Sequence, residues 1–108
     1  MKYFCKNNER VGGAYYEFRR GDECLEEPWL DSSMYIYDEV AGEIGLFTAI
    51  EENVPDFAPY GITVVTKEQW ENIETFQNGN EFTTAIKDIA IWIENNFKEN
   101  DFFVLMGI

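Results

Sequence analysis

The chain contains no histidine. That absence removes the commonest general base, the Ser-His-Asp and Cys-His nucleophilic arrangements, and any histidine-rich zinc site. Cysteine is scarce as well: Cys5 and Cys24 show no CxxC spacing, so no zinc site is expected. The two could pair in principle, but without a secretory context they read as reduced, buried, small apolar residues. No apolar run approaches the ~18 residues of a membrane span, and MKYFCKNNER has no stretch of signal-peptide length. A soluble, cytoplasmic protein is expected.

Basic residues are the next shortage. There are 8 Lys and Arg against 21 Asp and Glu, a formal net charge of -13. Five of the eight, Lys2, Lys6, Arg10, Arg19 and Arg20, fall in the first twenty positions. From Arg20 to Lys67 there is then no basic side chain, while Asp22, Glu23, Glu26, Glu27, Asp31, Asp38, Glu39, Glu43, Glu51, Glu52 and Asp56 all lie between them. Nucleic acid requires a basic footprint to displace counterions from phosphates, and here the sign is wrong. Anionic lipid would repel the protein for the same reason. Self-repulsion at this level costs compact-state stability, and a basic protein or a cation would relieve it.

What is present is a core. Hydrophobic residues make up 45% of the 108 positions and aromatics 17%, which excludes the composition of a disordered chain. One domain spanning residues 1–108 is expected, with no linker, repeat or low-complexity tract. MKYFCK and AYYEFRR read as strands around the turn-forming NNERVGG, and GDECLEEPWLDSS reads as a loop. From Met34 to Ile50 the apolar positions recur every three or four residues, predicting one helix with Tyr37 on its apolar stripe. Gly42 and Gly45 weaken that helix by up to ~1 kcal/mol each.

VPDFAP ends it, and the β-branched run YGITVV that follows suits a buried strand. Thr66 and Gln69 form a capping-box pattern ahead of KEQWENIETF, and Gln77-Asn78-Gly79-Asn80 ends that helix. Phe82, Ile86, Ile89, Ile93 and Phe97 mark the longest amphipathic helix. The apolar FFVLMGI then suits a strand covered on both faces. The expected architecture is α+β: a mostly antiparallel sheet packed against about three helices.

Carboxylate catalysis needs only two acids at a suitable separation with one pKa raised, and it is the weakest functional reading. Neither GDECLEE nor EENVPD follows a calcium-loop pattern. The glycines match no phosphate-binding motif, so no metal, nucleotide or other cofactor is expected. The informative feature is an acidic surface with aromatics among the acids. Aromatic anchors dominate interface energetics, and acids around them steer a basic partner. The candidate partner-binding residues are Glu23, Glu26, Glu27, Trp29, Asp31, Tyr35, Asp38, Glu39, Glu43, Glu51 and Glu52, with Trp29 and Tyr35 as anchors.

The strand, capped turn and helix of YGITVVTKEQWENI, residues 60–73, together with AIWIENNF and the ending FFVLMGI, resemble the immunity proteins of bacterial polymorphic-toxin and contact-dependent growth inhibition systems. The resemblance covers roughly the second half of the chain. It implies a non-catalytic cytoplasmic inhibitor of a toxin domain at the C-terminus of a large effector, often a nuclease with a basic substrate groove. The alternative from another class is a nucleic-acid mimic that inhibits a host or phage DNA-binding enzyme, with acids spaced like phosphates along an elongated surface. A monomer is the default expectation for the free protein.

Overall fold

Aromatic and β-branched residues spaced two apart build a sheet here, and apolar residues at helical spacing cover one side of it. The computed structural model describes residues 3–23, 25–27, 29–76 and 79–107. The strands are β1 (Phe4–Cys5), β2 (Tyr15–Arg20), β3 (Met34–Tyr37), β4 (Ile62–Thr66) and β5 (Phe102–Met106). The helices are α1 (Asp38–Glu43), α2 (Leu46–Asn53), α3 (Lys67–Glu74) and α4 (Asn80–Glu99), with a short 3-10 turn at Asn7–Glu9. The five strands form one sheet in the order β1-β3-β2-β5-β4, every adjacent pair antiparallel. The α+β expectation holds, with four helices in place of three.

One sheet face carries Phe4, Ile36, Tyr16, Phe18, Phe103, Leu105 and Val65, all buried in the main core cluster. Leu46, Ile50, Trp70, Ile73, Phe82, Ile89 and Ile93 meet them from the helices, and Ile44 from the turn between α1 and α2. Phe18 stacks on Phe103 at 5.2 Å, with Trp70 and Trp92 edge-on to both rings. The other face, carrying Tyr15, Glu17, Arg19, Tyr35, Val104, Ile62 and Val64, has no helix over it.

The Met34–Ile50 segment departs from the single helix its spacing predicts. Met34 and Tyr37 fit the helical period, but the neighbours the stripe leaves out, Tyr35 and Ile36, are both fully buried. A strand covered on both faces explains this where a helix does not. Met34–Tyr37 therefore lies between β1 and β2, and the helix begins only at Asp38. It breaks again at Gly45, which takes the left-handed conformation at φ +84° before α2 begins, a geometry that glycine adopts without strain.

YGITVV differs in a second way. It is an edge strand with alternate residues exposed rather than a strand buried on both faces. β5 does match its apolar sequence, since it lies between β2 and β4 with Phe103, Val104 and Leu105 all buried. The Thr66/Gln69 capping box is formed as expected, with Gln69 N–H donating to Thr66 Oγ1 and Thr66 N–H to Gln69 Oε1. Asn80 opens α4, whereas Gln77 and Asn78 of the predicted break lie outside the described residues.

Candidate functional site: an acidic loop clamped to the open sheet face

The connection between β2 and β3 is the segment with five acids. It crosses the end of the sheet, touching α4 on one side and the helix-free face on the other. On the α4 side Trp92 Nε1 donates to the Ser32 carbonyl at 2.8 Å, and Asn96, fully buried, accepts from Gly21 N–H and donates to the Phe102 carbonyl. On the open side Trp29 lies against Tyr35, ring centroids 6.0 Å apart. Arg10 closes the stack from outside, its guanidinium 4.0 Å from the Trp29 ring centroid and 5.1 Å from that of Tyr35.

Arg10 is further held by Asn7 Oδ1, which accepts from its Nε and Nη2. Asn7 Nδ2 in turn donates to the Trp29 carbonyl and to Asp31. Trp29 sits at φ +57°, the one non-glycine residue with positive φ among those described. A bulky side chain in that region is strained, and the surrounding contacts must hold it there. These contacts hold Trp29 and the residues that follow it, and the loop exposes Trp29 and Leu25, each 46%, with Glu26 and Glu27 also exposed.

Beneath the loop lies a buried charge cluster. Arg19 is 0% and Glu17 3% exposed, and their side chains form a two-pronged ion pair with both contacts at 2.9 Å. Ser33 Oγ donates to Glu17 Oε2 at 2.6 Å, and Tyr35, opposite Glu17 in the register, donates its hydroxyl to the Leu30 carbonyl. Burial, and next the Glu17 carboxylate, push the Tyr35 hydroxyl far above the usual tyrosine range. A raised folded-state value means that neutral Tyr35 contributes stability in full below the ordinary tyrosine pKa of 10.0, and loses it as pH rises beyond that point. Tyr35→Phe should therefore flatten the alkaline limb of the stability curve, read as denaturation midpoints on both sides of that value. An unchanged limb would assign alkaline unfolding to another group.

The candidate residues do not form a single patch. Glu23, Glu26, Glu27, Trp29 and Asp31 belong to the loop at one end of β3. Asp38, Glu39 and Glu43 lie on α1 at its other end, and Glu51 and Glu52 on α2. Tyr35 is wholly buried and presents no surface to a partner, so its expected anchor role passes to packing under Trp29. Glu23 is tied to Ser32 and Asp31 to Asn7. Glu27, Glu39, Glu43, Glu51 and Glu52 are exposed, and no ion pair among the described residues involves them.

Arg20, at the edge of the window, bonds Asp22 and Glu99, and Arg19 is turned inward to Glu17. Burial alone would raise the Asp22 carboxyl, but hydrogen bonds from Asn100 and the backbone, with Arg20 alongside, hold it below the usual range. Two residues escaped the sequence reading. Leu25 carried a signal, a lone aliphatic between acids in a loop, whereas nothing near Arg10 indicated that it would fold back over Trp29. Cys5 is half-buried on β1, and Cys24 lies outside the described residues.

A groove of about 350 Å³ lies between α3 and α4, lined by Trp70, Ile93 and Phe97 together with Glu71, Glu74, Glu94, Lys67 and Lys98. Burial, and next the charge of Glu71, raise the Glu74 carboxyl above its ordinary value. Among the described residues no group of three or more metal-ligating side chains occurs and no helix is long and apolar enough to cross a membrane. Comparison with known protein families, curated proteins and solved structures finds no match to this chain.

Proposed function

We propose that the protein is an immunity protein, which binds and neutralises the basic toxin domain of a bacterial contact-dependent or polymorphic toxin, a nuclease by preference. The observation carrying this reading is the acidic loop, with exposed Leu25 and Trp29 on either side of Glu26 and Glu27. Trp29, already held between Arg10 and Tyr35, loses little conformational freedom on docking, and the carboxylates beside it take the places that substrate phosphates occupy in a basic groove. The exposed acids of α1 and α2 extend the negative field and raise the encounter rate. The protein performs no chemistry of its own in this reading and acts in the cytoplasm, where the incoming toxin meets its substrate.

The nucleic-acid-mimic reading asks for acids strung along an extended surface. The molecule measures 33 × 31 × 25 Å, a compact outline without the extended axis that such spacing needs, which favours a protein partner. The test is capture of the tagged protein from lysate of its source, followed by co-expression with whatever large-effector C-terminal domain is recovered. Growth arrest by that domain alone and rescue by this chain is the expected result. A toxin fragment that binds but kills regardless, or recovery of a DNA-processing enzyme in its place, would overturn the proposal.

A further inference from the structure

The two edges of the sheet are finished differently. At β1 the strand is only two residues long, and Asp88 of α4 accepts from the Tyr3 and Phe4 N–H groups at 2.8 and 2.7 Å. A neighbouring strand finds those donors already taken. At β4 no such device is present among the described residues. Gly107 N–H donates to the Gly61 carbonyl, and Lys67 N–H to the Asp101 carbonyl. In an antiparallel ladder the bonded positions alternate, so Thr63 and Val65 share the β5 side with Gly61 and Lys67. The N–H and C=O of Ile62 and Val64 therefore point off the sheet. Thr66 N–H, at the end of this edge, is occupied by Gln69.

The side chains repeat the asymmetry. Ile62 and Val64 are 50% and 51% exposed on the helix-free face, next to Tyr60 at 82%. Natural edge strands are ordinarily blunted by lysine, proline, a bulge or a covering element, and β4, read as ITVVT, has none of the first three within it. From Phe57 to Thr66 no residue is charged, in a chain whose net charge is -13. This stretch is accordingly where two copies can approach with the least like-charge repulsion.

We infer that β4 pairs antiparallel with β4 of a second copy about a two-fold axis at Thr63, joining two sheets into one. That register places Ile62 opposite Val64 of the second copy and uses the outward N–H and C=O groups of both residues in each chain. The same pairing brings the exposed Ile62 and Val64 side chains together on one face, as an isologous interface requires. Thr63, whose Oγ1 accepts from Ala58 N–H, lies at the axis. The backbone pairing itself uses no residue of the acidic loop.

Sedimentation velocity across the micromolar range, at low and at moderate salt, tests the pairing. The expected result is a monomer-dimer equilibrium whose dissociation constant falls as salt rises, because screening weakens repulsion between two highly negative copies. Val64→Lys should raise that constant at least about tenfold, and Ile91→Lys, at a still more exposed apolar position on α4, should leave it unchanged. Hydrogen exchange at the Ile62 and Val64 amides should slow with concentration, while Thr63 and Val65 stay protected throughout. A monomer at every concentration and salt, a dimer indifferent to Val64→Lys in a folded variant, or concentration-independent exchange at Ile62 and Val64 would each overturn the inference.

Discussion

Arg19→Ala is expected to destabilise the protein by about 3–5 kcal/mol, because it strands the Glu17 carboxylate at 3% exposure without its two-pronged partner. Against a typical total of about 5–15 kcal/mol for a domain, such a loss leaves little margin. The pair itself is no evidence of added stability, since desolvating two charges costs several kcal/mol per ion. Its geometry nevertheless makes each member depend on the other. Urea denaturation should show the midpoint falling with the slope unchanged. The double variant Glu17→Leu, Arg19→Met should recover most of the loss by removing both charges together. Ser33→Ala, which deletes one hydrogen bond to the carboxylate, should cost about 1–3 kcal/mol. A double variant as unstable as Arg19→Ala would mean that the cluster holds the loop in a way apolar packing does not replace.

The second large effect concerns association with the toxin domain of the proposed function. Charge reversal of Glu26, Glu27, Asp38 and Glu39 to lysine shifts the formal net charge from -13 by +8, to -5. Association with a basic partner should slow by about ten- to a hundredfold at low salt and lose most of its salt dependence. Trp29→Ala should act differently, raising the dissociation rate while leaving association nearly unaltered, as loss of an anchor does. Stopped-flow or surface-based kinetics at two ionic strengths separates the two effects. Association that is equally fast after reversal would move the interface away from the loop and α1, and the groove beside Glu74 would be examined next.

The sequence disclosed the parts of this molecule governed by local rules. The Thr66/Gln69 cap, the long period of α4 and the apolar run of β5 each belong to one short segment, and each is present. Met34–Tyr37 departs from the helical expectation because its two outer residues satisfy the helical period as well as the strand pattern. Only pairing with β1 and β2, a nonlocal fact, decides between them. YGITVV departs from its expectation for a related reason: β-branched composition favours a strand but does not say whether it has one neighbour or two. For the site, the acidic window and Trp29 were legible, but the burial of Tyr35 depends on Trp29 and Arg10 arriving from separate loops. Arg19 reads on paper as one more surface base, and its alternation within β2 reveals a buried position only once Glu17 is known to share its face.

β5 follows β4 by more than a whole helix in chain order, yet it occupies the place between β2 and β4. Until Phe102–Met106 has been synthesised, β4 has no partner in the sheet at all, and the β1-β3-β2 group cannot be joined to it. The ladder contacts that unite the two halves span most of the chain, as in Arg20 with Phe103 and Glu17 with Met106, and contacts of such separation form slowly. A nascent chain therefore carries the uncharged ITVVT segment with both of its sides unsatisfied for the interval before β5 emerges. Throughout that interval the negative charge of residues 22–56 opposes close approach of two such chains.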